Sequence, residues 1–134
     1  MTPLEYLRIQ GREIAWLTKK PVGIFALGWR KVRDGTFSEE DAEIFRLSEQ
    51  WFVDNLPYPP FYGENNDDAD ANTLGAITYF KNNEHASEML VRSSPIFELF
   101  DKYNIPYDIV YTNNIGTIVY DDEYQVGVID EVTQ

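Results

Sequence analysis

The chain has 134 residues, room for one hydrophobic core, and its 43% hydrophobic and 15% aromatic content excludes a disordered polymer. Eleven Lys and Arg stand against 23 Asp and Glu, a formal charge of −12 that repels phosphate backbones and anionic lipid, so no nucleic acid and no membrane is expected as a partner. No apolar run approaches the roughly 20 residues that span a bilayer, no basic and apolar leader opens the chain, and the absence of cysteine excludes disulfides and thiolate chemistry; together these point to a cytoplasmic protein.

Residues 4–18 admit two readings. Thr2-Pro3-Leu4-Glu5 looks like a helix start, but Gly11 would then sit inside the helix at a cost of about 1 kcal/mol. The alternation of Leu7 and Ile9 with Ile14 and Trp16 on either side of Gln10-Gly11-Arg12 favours a β-hairpin. Pro21 can open the next helix, with Ile24, Leu27, Gly28 and Val32 on one face and Asp34-Gly35 as its stop. Ser38, followed by Glu39, Glu40 and Asp41, is a hydroxyl cap with acidic residues in the first turn, and it predicts a helix over 38–55 that Pro57, Pro59 and Pro60 end. A polar loop follows to about residue 74.

Residues 76–80 read as a strand. From Glu84 to Tyr103, Met89, Ser93, Ile96, Phe100 and Tyr103 keep a helical phase straight through Pro95, which predicts one kinked helix, with Asn104 as its stop. Residues 106–111, 117–120 and 124–129 are strands by alternation and β-branched content, separated by turns at Asn113-Asn114-Ile115-Gly116 and Asp121-Asp122-Glu123. The order is that of a single α+β domain, residues 1–134, with a mainly antiparallel sheet and its helices packed on one face.

The succession Trp51-Phe52…Leu56-Pro57…Pro59-Pro60, Ile77-Thr78-Tyr79-Phe80-Lys81 and Tyr111-Thr112-Asn113…Gly116…Ile118-Val119-Tyr120-Asp121-Asp122-Glu123-Tyr124-Gln125-Val126 resembles a family of short bacterial proteins without an established activity. The resemblance covers roughly residues 22 to 130 and implies a bacterial single-domain protein. It carries over no catalytic residue.

The obvious metal candidate is the acidic loop, with Glu64, Asp67, Asp68, Asp70 and Asn72. In an EF-hand register from Asp68, however, Thr73 takes the place of the required Gly and Tyr79 that of the bidentate Glu, so no metal site is assigned. His85 is the only histidine and would need a carboxylate or Lys as partner. Ser87, Ser93 and Ser94 lie in no nucleophile elbow, and the scattered glycines have neither Walker nor dinucleotide spacing. No catalytic residue and no cofactor is expected.

The densest constellation is Asp121-Asp122-Glu123 between Tyr120 and Tyr124, with Tyr79 and Lys81 on another aromatic strand end. Carboxylates there can take Arg or Lys from a partner while tyrosine rings give rigid contact area. The plainer alternative is a charged turn that blunts a hairpin. Charge is unevenly placed, +5 over residues 1–33 and −17 over 34–134, and the basic segment can lie over the acidic remainder of its own fold. The expectation is a non-enzymatic acidic domain of inhibitor, immunity-like or counter-defence type that masks a basic surface of a partner protein. The rival is a small enzyme or ligand-binding domain with a pocket between helix 38–55 and the sheet; a homo-oligomer is also open.

Overall fold

The computed structural model describes residues 3–15, 19–57, 59 and 76–129. The acidic loop weighed as a metal candidate lies outside the described residues, as do Trp16, Tyr58, Phe61 and Tyr62. Within them the order is β1 (Tyr6–Ile14), β2 (Pro21–Gly23), α1 (Ile24–Arg33), α2 (Glu39–Asn55), β3 (Ile77–Lys81), α3 (Ala86–Lys102), β4 (Tyr107–Thr112), β5 (Thr117–Asp121) and β6 (Gln125–Ile129). Every strand pairing is antiparallel, and the fold is α+β with its helices on one face of the sheet.

The expected hairpin turning at Gln10-Gly11-Arg12 is corrected: these residues lie inside one continuous strand, β1 (Tyr6–Ile14). In β1 the alternation Leu7, Ile9, Gly11 runs unbroken, and Gly11 is not a turn residue but the slot in which α1 touches the sheet. A Cβ at Gly11 would stand 2.2 Å from Leu27 Cδ2 and would push that side chain's end aside, so the glycine serves a close approach and not a positive φ. Pro21 also opens β2 instead of a helix; α1 begins three residues later, and Asp34 and Gly35, the latter at φ 80°, end it as expected.

β1 is the spine of the sheet. One edge pairs with β4 from Tyr6↔Thr112 to Gly11↔Tyr107, and the other pairs first with β3 and then with β2. Beyond β3 come β6 and β5, so β4 and β5 lie on opposite edges although four residues join them. Residues 113–116 do form a turn, with Gly116 at φ 93°, but the strands they join do not pair. Five residue steps reach at most about 18 Å, whereas four strand spacings in a flat sheet already measure about 19 Å before any lengthwise offset. The sheet is therefore strongly coiled. Asparagines clip one end of it: Glu5 N donates to Asn113 Oδ1 (2.6 Å), Asn113 Nδ2 to the Pro3 carbonyl (3.1 Å) and Asn82 Nδ2 to the Leu4 carbonyl (2.9 Å).

The helix-facing side of the sheet, with Leu7, Ile9 and Phe80, packs on Val22, Ile24, Leu27, Phe45, Ile96 and Phe100. α2 begins where the sequence predicts, with Ser38 Oγ accepting from Asp41 N at 3.1 Å. α3 continues through Pro95, where the Ser93 hydroxyl donates to the Met89 carbonyl at 2.8 Å. It ends in a left-handed Asn104 (φ 58°), and the Ile105 amide donates back to the Phe100 carbonyl at 2.8 Å.

One polar knot fixes the start of α2 to the end of α3. The buried Asp41 carboxylate accepts from Lys102 Nζ (2.7 Å) and the Tyr103 hydroxyl (2.6 Å), and the Ser38 amide donates to that hydroxyl at 3.0 Å. Hydrogen bonds from Lys102 first and Tyr103 second hold the Asp41 carboxyl below its usual range. A lowered folded value means that the folded state favours the carboxylate, so this contribution is complete above the unfolded Asp range and fades as pH falls through the folded value. The stability difference between wild type and Asp41→Asn, read from urea midpoints at about pH 7 and about pH 3, should shrink at the lower pH. A difference that stays constant would show that the carboxylate's charge is irrelevant to the knot.

Candidate functional site

The β5–β6 hairpin gathers the acidic turn at one end of the sheet, but the three carboxylates have different tasks. Asp122 is structural. Its Oδ1 accepts from the amides of Tyr124 (2.7 Å) and Gln125 (2.9 Å), and its Oδ2 from the Tyr120 hydroxyl (2.6 Å). Gln125 Nε2 reaches the same Oδ2 at 3.3 Å and also donates to the Pro57 carbonyl at 2.9 Å, tying the turn to the segment after α2. Burial, and then the hydrogen bond to Asp122, push the Tyr120 phenol up to about 12, so Tyr120 is a neutral donor over the physiological range.

Asp121 and Glu123 point outward, with side chains 57% and 64% exposed, and each has one internal partner. Lys81 Nζ crosses the start of β6 to Asp121 Oδ1 at 2.5 Å. His85 Nε2 lies 3.1 Å from Glu123 Oε1 and 3.8 Å from Glu84, with its ring 4.6 Å from that of Tyr124. A carboxylate can only accept, so the hydrogen-bonded tautomer carries its proton on Nε2. Spacing alone did not indicate this pairing, since 38 residues separate the two partners.

The register divides the seven residues singled out from the sequence between two faces. Tyr79, Val126 and Asp121 stand in one row, and Lys81 shares the Tyr79 face two residues along; this is the side away from the helices. Tyr120 is opposite Gly127 and thus in the row of Thr78, on the helix-facing side with Phe80. Strand alternation makes the split, since Tyr120 and Asp121 are neighbours in β5 and stand opposite Gly127 and Val126. What remains as one outward patch is Asp121, Glu123 and Tyr124, with Lys81 and Tyr79 beside them.

Aromatic rings pack between helix 38–55 and the sheet, where the rival reading places a pocket. Phe52 lies 4.7 Å from Phe25, 5.1 Å from Trp51 and 6.1 Å from Phe80 across the layers. Trp51 is further covered by the Arg92 guanidinium at 4.6 Å. Among the described residues no group of three or more His, Cys, Asp and Glu side chains is placed to hold a metal ion.

Most of the basic side chains are engaged within the chain. Arg12 pairs with Asp108, Arg30 and Lys31 with Glu13, Arg46 with Glu43, Arg92 with Glu88 and Lys102 with Asp41. Arg8, although buried, donates to the carbonyls of Thr78 (3.2 Å) and Pro21 (2.7 Å) and to Gln10 Oε1 (3.0 Å). The basic segment is thus partly neutralised by Glu13 from within its own span and not only by the acidic remainder. No helix among the described residues is long and apolar enough to cross a membrane. Comparison with known proteins gave no matching family model, no matching curated sequence and no matching solved structure.

Proposed function

We propose that the chain is a non-enzymatic, acidic protein-binding domain of bacterial, cytoplasmic type that masks a basic surface of a partner protein. The observation that carries the reading is the fate of the cations: most of the chain's bases are taken up by its own carboxylates and carbonyls, and with 23 acidic against 11 basic side chains, even one-to-one pairing of every base would leave 12 carboxylates over. Carboxylates held by a fold and left without a basic partner attract a complementary surface at long range and sort right from wrong partners. The outward patch of Asp121, Glu123 and Tyr124, whose carboxylates stay more than half exposed beside their internal partners Lys81 and His85, is where such a surface would gain both charge and aromatic contact.

The test begins with copurification of the full chain from its native host and continues with association kinetics against the captured protein. Asp121→Asn/Glu123→Gln should slow association about three- to tenfold at low salt while the circular dichroism spectrum stays that of wild type. Asp122 is left intact in this variant because its loss would disturb the turn itself. An unchanged on-rate would remove the patch from the interface, and steady turnover of a small molecule by the isolated chain would contradict the non-enzymatic reading.

A further inference from the structure

The two outer strands of the sheet are finished differently. Among the described residues β5 pairs only with β6, and it carries an irregular register at Val119 and ends in the carboxylate turn, both devices that discourage further strand pairing. β4 pairs only with β1 among the same residues and has no such protection. Its register runs through six consecutive pairs without a shift, and Tyr107-Asp108-Ile109-Val110-Tyr111-Thr112 contains neither Lys nor Pro. The N–H and C=O groups on its outer edge are a template for one more strand.

Beside that edge lies an uncovered apolar shelf. Tyr107, Ile109 and Tyr111 share the helix-facing side with Gly11, Ile9 and Leu7, to which they are paired. Leu7 and Ile9 are buried, whereas Ile109 and Tyr111 remain 38% and 43% exposed. α3 covers only the start of the strand, where Phe97 stacks on Tyr107 at 5.1 Å with the rings 6° from parallel. Helical spacing places Leu90, Ser94 and Asp101 on the same side of α3 as Phe97, so the helix forms the second wall. Asp101 stands at the closed end, where burial and then its charge hold the Tyr107 phenol above its usual range; neither it nor the exposed Glu98 has a basic partner among the described residues.

We propose that the shelf between β4 and α3 binds an extended segment of a partner protein as an added antiparallel strand, with apolar side chains over Ile109 and Tyr111 and a basic side chain at Asp101 and Glu98. The charge selects this occupant over a second copy of the chain, which would bring another −12 and the same two carboxylates to the interface. An open edge supplies main-chain hydrogen bonds, and alternate side chains supply selectivity through the shelf and the acidic end. The inference rests on the reading of the chain as a partner for a basic protein, and adds the partner's conformation and the surface it uses.

The probe is a blocked peptide, Thr-Val-Thr-Val-Lys-Arg-Arg, whose valines lie opposite Ile109 and Tyr111 when the first of its two Arg lies opposite Tyr107. Titrated into the isotope-labelled full chain, it should shift the amide resonances of β4 and of Leu90, Ser94 and Phe97. At about ten times its dissociation constant it should slow exchange of the outward β4 amides by about tenfold. Methylating the peptide's edge-facing backbone nitrogens, or replacing its three bases by Glu, should abolish both effects. Ile109→Lys, at a surface position that leaves the fold intact, should weaken binding by about tenfold or more. No response at about 1 mM peptide overturns the proposal, as does a response that survives backbone methylation. Sedimentation showing a dimer that Ile109→Lys dissociates would assign the shelf to a second copy and likewise overturn it. A response confined to residues 121–124 would overturn the shelf while leaving the basic-partner reading intact, whereas failure of that reading would appear as a captured partner that is not basic.

Discussion

Replacing Phe45 by Ala should remove about 3–5 kcal/mol of folding stability, a large share of the roughly 5–15 kcal/mol of a typical domain. Phe45 is fully buried on the inner face of α2, where its ring meets Trp29 edge-on at 5.3 Å and Phe37 at 6.3 Å and lies over Gly28 of α1. Three elements therefore lose contacts at once, and the rigid rings around the site cannot collapse to fill it. Urea denaturation gives the value directly; a loss below about 1 kcal/mol would mean that the helix layer repacks freely.

Gly28→Ala should also destabilise, against what helix propensity alone dictates. In an open helix the change gains up to about 1 kcal/mol. Here the new Cβ would stand 2.1, 2.4 and 2.8 Å from the Cε1, Cζ and Cδ1 atoms of the Phe45 ring, distances that force a shift in a fully buried aromatic. Overpacking of that kind costs about 1–3 kcal/mol and outweighs the propensity term. The sign is conditional on the ring. In a Phe45→Ala background the obstacle is gone, and Gly28→Ala should become neutral or stabilising, so the double mutant should lose about 1–3 kcal/mol less than the sum of the two single losses. Additive effects would show that Gly28 and Phe45 do not meet.

Both effects explain which parts of the fold could be read from the chain. The second helix was legible from Ser38 with its three following acids, and the third from a phase that persists across Pro95, because caps and periodicity are local properties. Gly11 misled. A glycine between two alternating runs has the same appearance whether it turns the chain or admits a neighbour, and only the position of Leu27, sixteen residues on, decides between them. The ends of β4 and β5 were visible in alternation, yet nothing local says that strands joined by four residues belong to opposite edges of a coiled sheet.

The candidate site shows the same division. Asp121-Asp122-Glu123 stood out as three equal carboxylates, and the structure gives them unequal work: Asp122 is spent on its own turn, while Asp121 and Glu123 keep one partner each and face outward. Tyr120 was grouped with Tyr79 and Asp121, but alternation along β5 puts it on the face opposite its neighbour Asp121. The β4 shelf was not legible. Its signal, a Lys-free and Pro-free alternating strand, becomes informative only when topology makes that strand an edge.

The most direct measurement of the central claim is the rate constant for association of the wild-type chain with its captured partner at about 20 mM and about 300 mM salt. Steering by 12 surplus carboxylates predicts a fall of about tenfold or more between the two, with a much smaller change in the dissociation rate. An association rate that is the same at both salt concentrations would contradict the account, since the surplus charge would then have no part in recognition.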